Sequence, residues 1–95
     1  MARATLNGRV LAESDEFEIV EGNVYFPPSA ITRELFAPNA LHTICSWKGE
    51  ASYYDIVVDG ETFSGQAWYY PEPKDAASNI RDYVAFYAPP VTVER

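Results

Sequence analysis

The sequence predicts a mainly β fold, a small antiparallel barrel or sandwich that carries one or two short helices. Its apolar segments are short, and glycine, proline, asparagine and aspartate residues separate them at frequent intervals. Several of these segments alternate apolar and polar residues, which is the period of a strand with one buried face. The length of 95 residues fits a single domain, residues 1–95, and the chain contains neither an internal repeat nor a linker.

The N-terminal third predicts a hairpin followed by one short helix. RVLAES and FEIV have strand patterns, and the turn sequence EGN separates FEIV from VYF. PPSAITRELF begins with two prolines and then places Ile31, Leu35 and Phe36 at roughly helical spacing. We expect one or two helical turns there, with Ser29 as the N-cap, that end before FAPN.

The rest of the chain predicts two further hairpins and a second helix. LHTICSW and ASYYDIVV are expected as strands on either side of a turn at Lys48 and Gly49. Asp59-Gly60 is the strongest hairpin signal and joins ASYYDIVV to TFSGQAWYY. The prolines of PEPK end that strand, and KDAASNIRDY has the residue spacing of a short helix. VAFY and VTVE then complete the chain as strands.

Charge and cysteine content restrict the kinds of partner. The net charge is −7, and an acidic surface repels phosphate backbones and anionic lipids, so neither nucleic acid nor a membrane is expected as a partner. One cysteine and one histidine supply neither a disulfide nor a zinc site, so we expect no metal and no cofactor. No apolar run reaches bilayer length, and MARATLNGRV lacks the hydrophobic region of a secretory signal. These features predict a cytoplasmic protein.

The stretch CSWKGEASYY concentrates the groups that are capable of chemistry. If Lys48–Glu50 form the loop, the period of a strand divides the hairpin residues between two faces. One face then carries Cys45, Trp47, Ala51, Tyr53 and Val57. The other carries Ile44, Tyr54, Ile56 and Val58. Both faces are apolar, so one packs on the core and the other is covered by a helix, lines a concavity or contacts a partner chain.

Lys48 and Gly49 are the first candidates for a binding role. Glycine lets the backbone approach a ligand closely, and lysine places a cation on an otherwise acidic surface. The alternative is an ordinary turn with a solvated lysine.

Cys45 is expected to be a small buried side chain rather than a nucleophile. The two groups that could activate it, His42 and Lys48, fall on the opposite face of a regular strand. His42 itself is expected to be a hydrogen-bonded structural residue.

Two carboxylates and a set of aromatic residues complete the candidates. Asp55 interrupts an apolar strand, where a charge needs a partner, and Glu72 is held stiffly between two prolines. The aromatic residues form core pairs across the strands or, in the second interpretation, a stacking wall for a planar ligand. They are Trp47, Tyr53, Trp68, Tyr69 and Tyr70.

Five segments carry a resemblance to a known family: GRVLAES, VEGNVYFPPSAI, TICSWKGEASYYDI, AWYYPEP and NIRDYVAFY. Together they resemble, in order and over nearly the whole chain, the domain of unknown function DUF427, which is sometimes filed under a nucleotidyltransferase label. The resemblance implies a compact, mostly β domain of the β-tent kind, here without the paired cysteines that hold zinc in related modules. Ser46 stands where the family usually has proline. The signature residues that the resemblance carries to this chain are Thr43, Cys45, Lys48, Gly49, Ala51, Tyr53, Trp68, Pro71, Glu72, Pro73 and Phe86.

Three functions remain open at this point. The first is a small-molecule-binding domain, with or without enzymatic activity, whose pocket lies at the Cys45–Gly49 hairpin and takes an anionic or planar ligand. Its expected ligand contacts are Cys45, Trp47, Lys48, Gly49, Tyr53, Trp68 and Glu72. The second is an interaction module that forms a homo-oligomer through the hairpin. The third is a nucleotidyltransferase-like enzyme, although the sequence lacks the paired acids that such chemistry ordinarily uses.

Overall fold

The computed structural model describes residues 1–95 as nine antiparallel strands joined by turns and three short 3-10 helical segments. The strands are β1 (Ala2–Leu6), β2 (Arg9–Ser14), β3 (Glu18–Val20), β4 (Asn23–Tyr25), β5 (Phe36–Cys45), β6 (Gly49–Val58), β7 (Glu61–Tyr69), β8 (Val84–Phe86) and β9 (Thr92–Glu94). The 3-10 segments are Pro28–Ala30, Arg33–Leu35 and Asp75–Ile80.

The smaller sheet has the order β2-β1-β9, and the sequence pattern does not predict its central strand, β1. Asn7 and Gly8 both have positive φ, 50° and 79°, and make the two-residue turn between β1 and β2. Ala4 in β1 faces Ala12 on one side and Val93 on the other. Sequence reasoning missed β1, although the Asn7-Gly8 pair is a signal for the hairpin that it forms with β2.

The larger sheet has the order β5-β6-β7-β8, and the β3–β4 hairpin extends it. Phe26 and Val84 exchange two backbone hydrogen bonds of 2.8 Å, which attach the end of β4 to β8. The Asp59-Gly60 turn and the EGN turn are confirmed as hairpin connections, since β6 pairs with β7 and β3 pairs with β4.

Apolar residues cover both faces of the larger sheet. One face packs against the smaller sheet, and this main core includes Leu11, Phe26, Ile56, Val58 and Val84. The opposite face carries a second buried cluster built largely from aromatic rings. The antiparallel sandwich predicted from the sequence is confirmed, and the sheets do not close into a barrel.

The short helices predicted from the sequence are 3-10 segments. Pro28–Ala30 follows Pro27, which occupies the N-cap position in place of Ser29 and provides no side-chain hydrogen bond. In Asp75–Ile80, the φ of −120° at Ala77 interrupts the helical backbone. Such short segments gain few backbone hydrogen bonds, so flanking prolines and tertiary contacts decide their geometry. At six residues, the longest helical segment is far too short to span a membrane.

Candidate functional site

The loop between β5 and β6 lies two residues earlier than the sequence predicts. Cys45 pairs with Gly49, so the loop consists of Ser46, Trp47 and Lys48 rather than Lys48–Glu50. Gly49 therefore begins β6, and Trp47 leaves the strand face to which the sequence pattern assigned it. Gly49 has a positive φ of +117°, which glycine adopts without strain.

The predicted common face of Cys45, Ala51 and Tyr53 is present, and it packs into the second buried cluster. The members of this cluster are Tyr25, Ala51, Tyr53, Trp68, Tyr70, Ala77, Ile80 and Ala85, with Cys45 partly buried at its margin. Because Ala77 and Ile80 belong to the last 3-10 segment, a helical segment covers this face, which was one of the three expected alternatives. On the other face, Tyr54, Ile56 and Val58 contact the main core, whereas Ile44 is 75% exposed.

Lys48 is buried, with only 6% of its surface exposed, and it is ion-paired rather than solvated. Its Nζ donates to Oε1 of Glu21, which lies in the turn between β3 and β4. Nε1 of Trp47 donates to the other oxygen, Oε2, at 3.3 Å. The Glu21 side chain remains half exposed. The loop thus supplies one donor to each oxygen of a single carboxylate.

Two aromatic rings flank the Lys48 ammonium. Nζ lies 5.5 Å from the ring centroid of Trp47 and 5.5 Å from that of Tyr70, within the range of cation–π attraction. In the same buried cluster as Tyr70, Nε1 of Trp68 donates a 3.1 Å hydrogen bond to the Tyr25 hydroxyl. The Lys48 ammonium therefore lies between two aromatic side chains, each of which also carries a polar N–H or O–H group.

The ion pair shifts the pKa of both partners. The hydrogen bonds from Lys48 and Trp47 lower the pKa of Glu21. Burial lowers the pKa of Lys48, but the hydrogen bond to Glu21 and the nearby tyrosines outweigh it, so the net shift is upward. Burial also raises the pKa of Tyr25 and of Tyr70. At neutral pH the site holds one charged pair and neutral phenols.

The Pro-Glu-Pro segment packs against the backbone of the loop. A Cβ added at Gly49 would lie 3.3 Å from the carbonyl oxygen of Glu72. The backbone N–H of Lys74 donates to the carbonyl of Lys48 at 2.9 Å, and Nζ of Lys74 donates to the carbonyl of Ser46 at 2.7 Å. The close approach that Gly49 permits is therefore to this segment. The Glu72 residue is exposed, and its carbonyl oxygen lies close to Gly49.

Tyr53 and Trp68 are cross-strand partners in β6 and β7, as the sequence predicts for core aromatic pairs. The Tyr53 hydroxyl lies 2.8 Å from Oγ1 of Thr43. A hydrogen bond with Tyr53, together with burial, raises the pKa of Tyr87 to about 12. The Tyr87 ring is centred 4.6 Å from that of Trp68, so the aromatic cluster continues to the surface.

His42 and Asp55 lie apart from the Lys48 loop. His42 is exposed in β5, and its Nδ1 lies 3.2 Å from the Ser52 hydroxyl. Asp55 lies at the bulge between β6 and β7, where it accepts hydrogen bonds from Asn39 Nδ2 at 2.7 Å and from the Gly65 N–H at 2.8 Å. These bonds lower its pKa. Asp55 therefore has the partners that a strand carboxylate needs, and they are structural.

Sequence reasoning missed Glu21, Tyr25 and Tyr70 as neighbours of Lys48. The EGN turn marked Glu21 only as a turn residue, and its positive φ of 54° is uncommon for a residue other than glycine. The separation of 27 positions between Glu21 and Lys48 left no local pattern to connect them.

A cleft of about 280 Å³ lies next to this turn but contains none of the predicted ligand contacts. Its walls are Gly22, Asn23, Val24, Phe86, Ala88, Val93 and Arg95. Nowhere does the structure gather three or more His, Cys, Asp or Glu side chains that could hold a metal ion.

These observations define a class of protein: a mainly β, sandwich-like domain with an ion pair set among aromatic rings at one hairpin loop. The chain belongs to the family described as a domain of unknown function, DUF427, whose model matches residues 1–95. The resemblance seen in the sequence is thereby confirmed over the whole chain. No curated protein matches the chain significantly.

Proposed function

We propose that this domain binds a small anionic or planar molecule at the Lys48 loop. The observation that carries the proposal is the unequal burial of the ion pair: Lys48 is buried, whereas its only anionic partner, Glu21, is half exposed. A buried cation needs a counter-charge, but a half-exposed carboxylate can return to water at little cost. The loop is thus able to exchange one anion for another.

The aromatic surroundings favour a ligand with a flat apolar body. Trp47 is 39% exposed beside the ammonium, so part of its ring surface is available to a stacking partner. Burying that ring and a ligand ring together removes apolar surface from water, while Lys48 supplies orientation. The net charge of −7 works against long-range attraction of anions, so contacts at the loop must provide the affinity.

The proposal is tested by a ligand screen on matched variants. Aromatic carboxylates, sugar phosphates and nucleotides are screened by thermal shift and by NMR against wild type, Lys48→Met and Arg33→Met. Arg33 is exposed, belongs to the 3-10 segment Arg33–Leu35 and forms no ion pair, which makes it a control for general charge loss. We expect at least one compound that binds wild type and Arg33→Met but not Lys48→Met. A hit that survives in Lys48→Met places the ligand elsewhere, and an absence of hits for wild type contradicts the proposal.

A second candidate function, self-association, is favoured by the edge strand β5. The other edge strands carry charged side chains, as in Arg9 and Glu13 of β2 and Glu18 of β3, whereas β5 has none. Charges on an edge strand oppose strand addition, and like charges repel when two copies of one strand face each other. Leu41 and Ile44 of β5 are also exposed. A second copy of this chain is therefore the partner that suits this edge.

Sedimentation over a concentration series tests this candidate. Ile44→Lys is expected to shift the equilibrium toward monomer, and Val57→Lys is the control, because Val57 is exposed on the internal strand β6. A wild-type protein that stays monomeric up to about 0.5 mM rules out a stable dimer of the usual kind. Equal effects of both variants rule out pairing through β5.

We also propose that the protein works in the cytoplasm. The single cysteine, Cys45, is an unpaired thiol, as is usual in a reducing compartment. Cell fractionation tests this location, and recovery of the protein outside the cell contradicts it.

A further inference from the structure

The Lys48 loop holds the Glu21 side chain as a receptor holds a carboxylate ligand. One oxygen accepts from the Lys48 ammonium and the other from the Trp47 indole N–H. The ammonium is itself buried and lies near the rings of Trp47 and Tyr70. Each donor has one acceptor, and each carboxylate oxygen has one donor. The arrangement matches a planar group with two acceptor atoms.

We propose that the ligand of the Lys48 site is a carboxylate, and that Glu21 is an internal stand-in which leaves when this ligand binds. The inference rests on the proposed function. It specifies the class of ligand and identifies Glu21 as the group that competes with this ligand for the site. Glu21 occupies the hairpin turn between β3 and β4, so its side chain reaches the loop from a neighbouring element. Rotation of this half-exposed side chain into water frees both donors without unfolding either hairpin.

A carboxylate suits this loop better than a phosphate does. Phosphate groups carry more charge and three acceptor oxygens, and sites that bind them ordinarily use arginine, several backbone N–H groups or a helix N-terminus. The loop offers one ammonium and one indole N–H on a domain of net charge −7. A single negative charge balances Lys48, whereas a second one would meet an acidic surface.

The internal carboxylate also sets how tightly an external one binds. A group tethered in the same chain competes at an effective concentration of about millimolar or above. Simple carboxylates therefore bind wild type weakly, because each one must displace Glu21. A ligand with a stacking body gains the additional contact with Trp47 that Glu21 cannot make.

Chemical rescue tests whether an added carboxylate can take the place of the Glu21 side chain at the Lys48 loop. In Glu21→Ala the two donors lose their acceptor, so sodium acetate, propionate or benzoate should raise the melting temperature of this variant relative to sodium chloride of equal ionic strength. The effect should appear at a carboxylate concentration at least tenfold lower than for wild type. Glu61→Ala is the matched control, since Glu61 is an exposed carboxylate beside another hairpin turn and forms no ion pair. Glu21→Ala/Lys48→Met should not respond.

The indole N–H signals provide a second readout that works even if Glu21→Ala folds poorly. The chain has two tryptophans, and their indole N–H groups have different acceptors. When acetate is titrated into wild type to high concentration, the Trp47 signal should shift, because acetate displaces its acceptor Glu21. The signal of the buried Trp68 should stay in place. Phosphate at equal ionic strength should move neither signal.

The outcomes distinguish the inference from the proposed function. No rescue of Glu21→Ala and no movement of the Trp47 signal overturn the carboxylate receptor, even if wild type binds a neutral planar compound. Rescue that persists in Glu21→Ala/Lys48→Met also overturns it. Conversely, Lys48-dependent rescue with no ligand found for wild type supports the receptor and contradicts the small-molecule function.

Discussion

Glu21 and Lys48 join two hairpin connections that are 27 positions apart in the chain. Glu21 lies in the turn that ends β3, and Lys48 lies in the loop that ends β5. The pair therefore links the turn of the β3–β4 hairpin to the loop of the β5–β6 hairpin, at one edge of the second buried cluster. Stability and binding at this loop depend on the same contact.

Replacement of Lys48 by methionine should lower the free energy of unfolding by about 1.5–3 kcal/mol, the usual range for a hydrogen bond to a charged group. Methionine keeps most of the side-chain volume, so little of the loss comes from packing. Arg33→Met should change stability by no more than about 0.5 kcal/mol, because Arg33 is exposed and forms no ion pair. Urea denaturation of the two variants measures the difference. Equal stabilities would mean that the buried ion pair contributes nothing to the fold.

The ion pair also predicts how stability depends on pH. The pKa of Glu21 is lowered from its ordinary 4.5, so its contribution is complete above that value and is lost as the pH falls through the lower folded-state pKa. The pKa of Lys48 is raised from 10.5, so its contribution is complete below 10.5 and is lost as the pH rises through the higher folded-state pKa. Between these limits the pair contributes a constant amount.

Melting temperatures of wild type and Glu21→Gln between pH 8 and pH 3 test the acid side. The difference between the two proteins should be constant at neutral pH and should shrink below about pH 4.5, because the Glu21 carboxyl group of the unfolded state takes up a proton at a higher pH than that of the folded state does. Asp55→Asn is a useful comparison, since the pKa of Asp55 is also lowered but by other partners. A difference that stays constant down to pH 3 contradicts the role assigned to the Glu21 charge.

Gly49→Ala should destabilise the protein more than Gly60→Ala does. Both glycines have positive φ, so both substitutions place a side chain in an unfavourable backbone conformation. Only at Gly49 would the new Cβ meet backbone atoms, at 3.3 Å from the carbonyl oxygen of Glu72 and 3.5 Å from the N atom of Lys74. We expect an additional loss of about 1 kcal/mol or more from overpacking. Equal decreases in melting temperature for the two variants would show that the Pro-Glu-Pro segment moves to accommodate the new Cβ without cost.

The sequence predicted those parts of the fold that depend on local patterns. Asp59-Gly60 and the EGN turn mark hairpins because two-residue turns need positive φ, which glycine adopts easily. The loop after β5 was misplaced by two residues because Lys48-Gly49 has the composition of a turn centre. In the folded chain, pairing of Cys45 with Gly49 makes this glycine the first strand residue instead.

The sequence predicts only those residues of the site that lie on the β5–β6 hairpin. Alternation along the paired strands β5 and β6 correctly places Cys45, Ala51 and Tyr53 on one face, since residues two apart share a strand face. The burial of Lys48 depends on Glu21 and Tyr70, which reach it from other hairpins through long-range topology. Spacing within one strand carries no information about such partners, so a solvated lysine and a buried one look alike in the sequence.

The hydrogen bond from Trp68 to Tyr25 should stabilise the second cluster. The two rings are nearly perpendicular, at 87°, with centroids 6.2 Å apart, and both side chains are buried. Tyr25→Phe preserves the ring but leaves the indole N–H of Trp68 without its acceptor, which should cost about 1–3 kcal/mol of unfolding free energy. Tyr83→Phe is the control, because Tyr83 is only partly buried at the margin of the same cluster and its hydroxyl makes no hydrogen bond within the chain. Urea denaturation gives the two stabilities, and the Trp68 indole N–H signal should shift in Tyr25→Phe alone. Similar small losses in both variants would show that the cluster is held by ring packing and that the Tyr25 hydroxyl is dispensable.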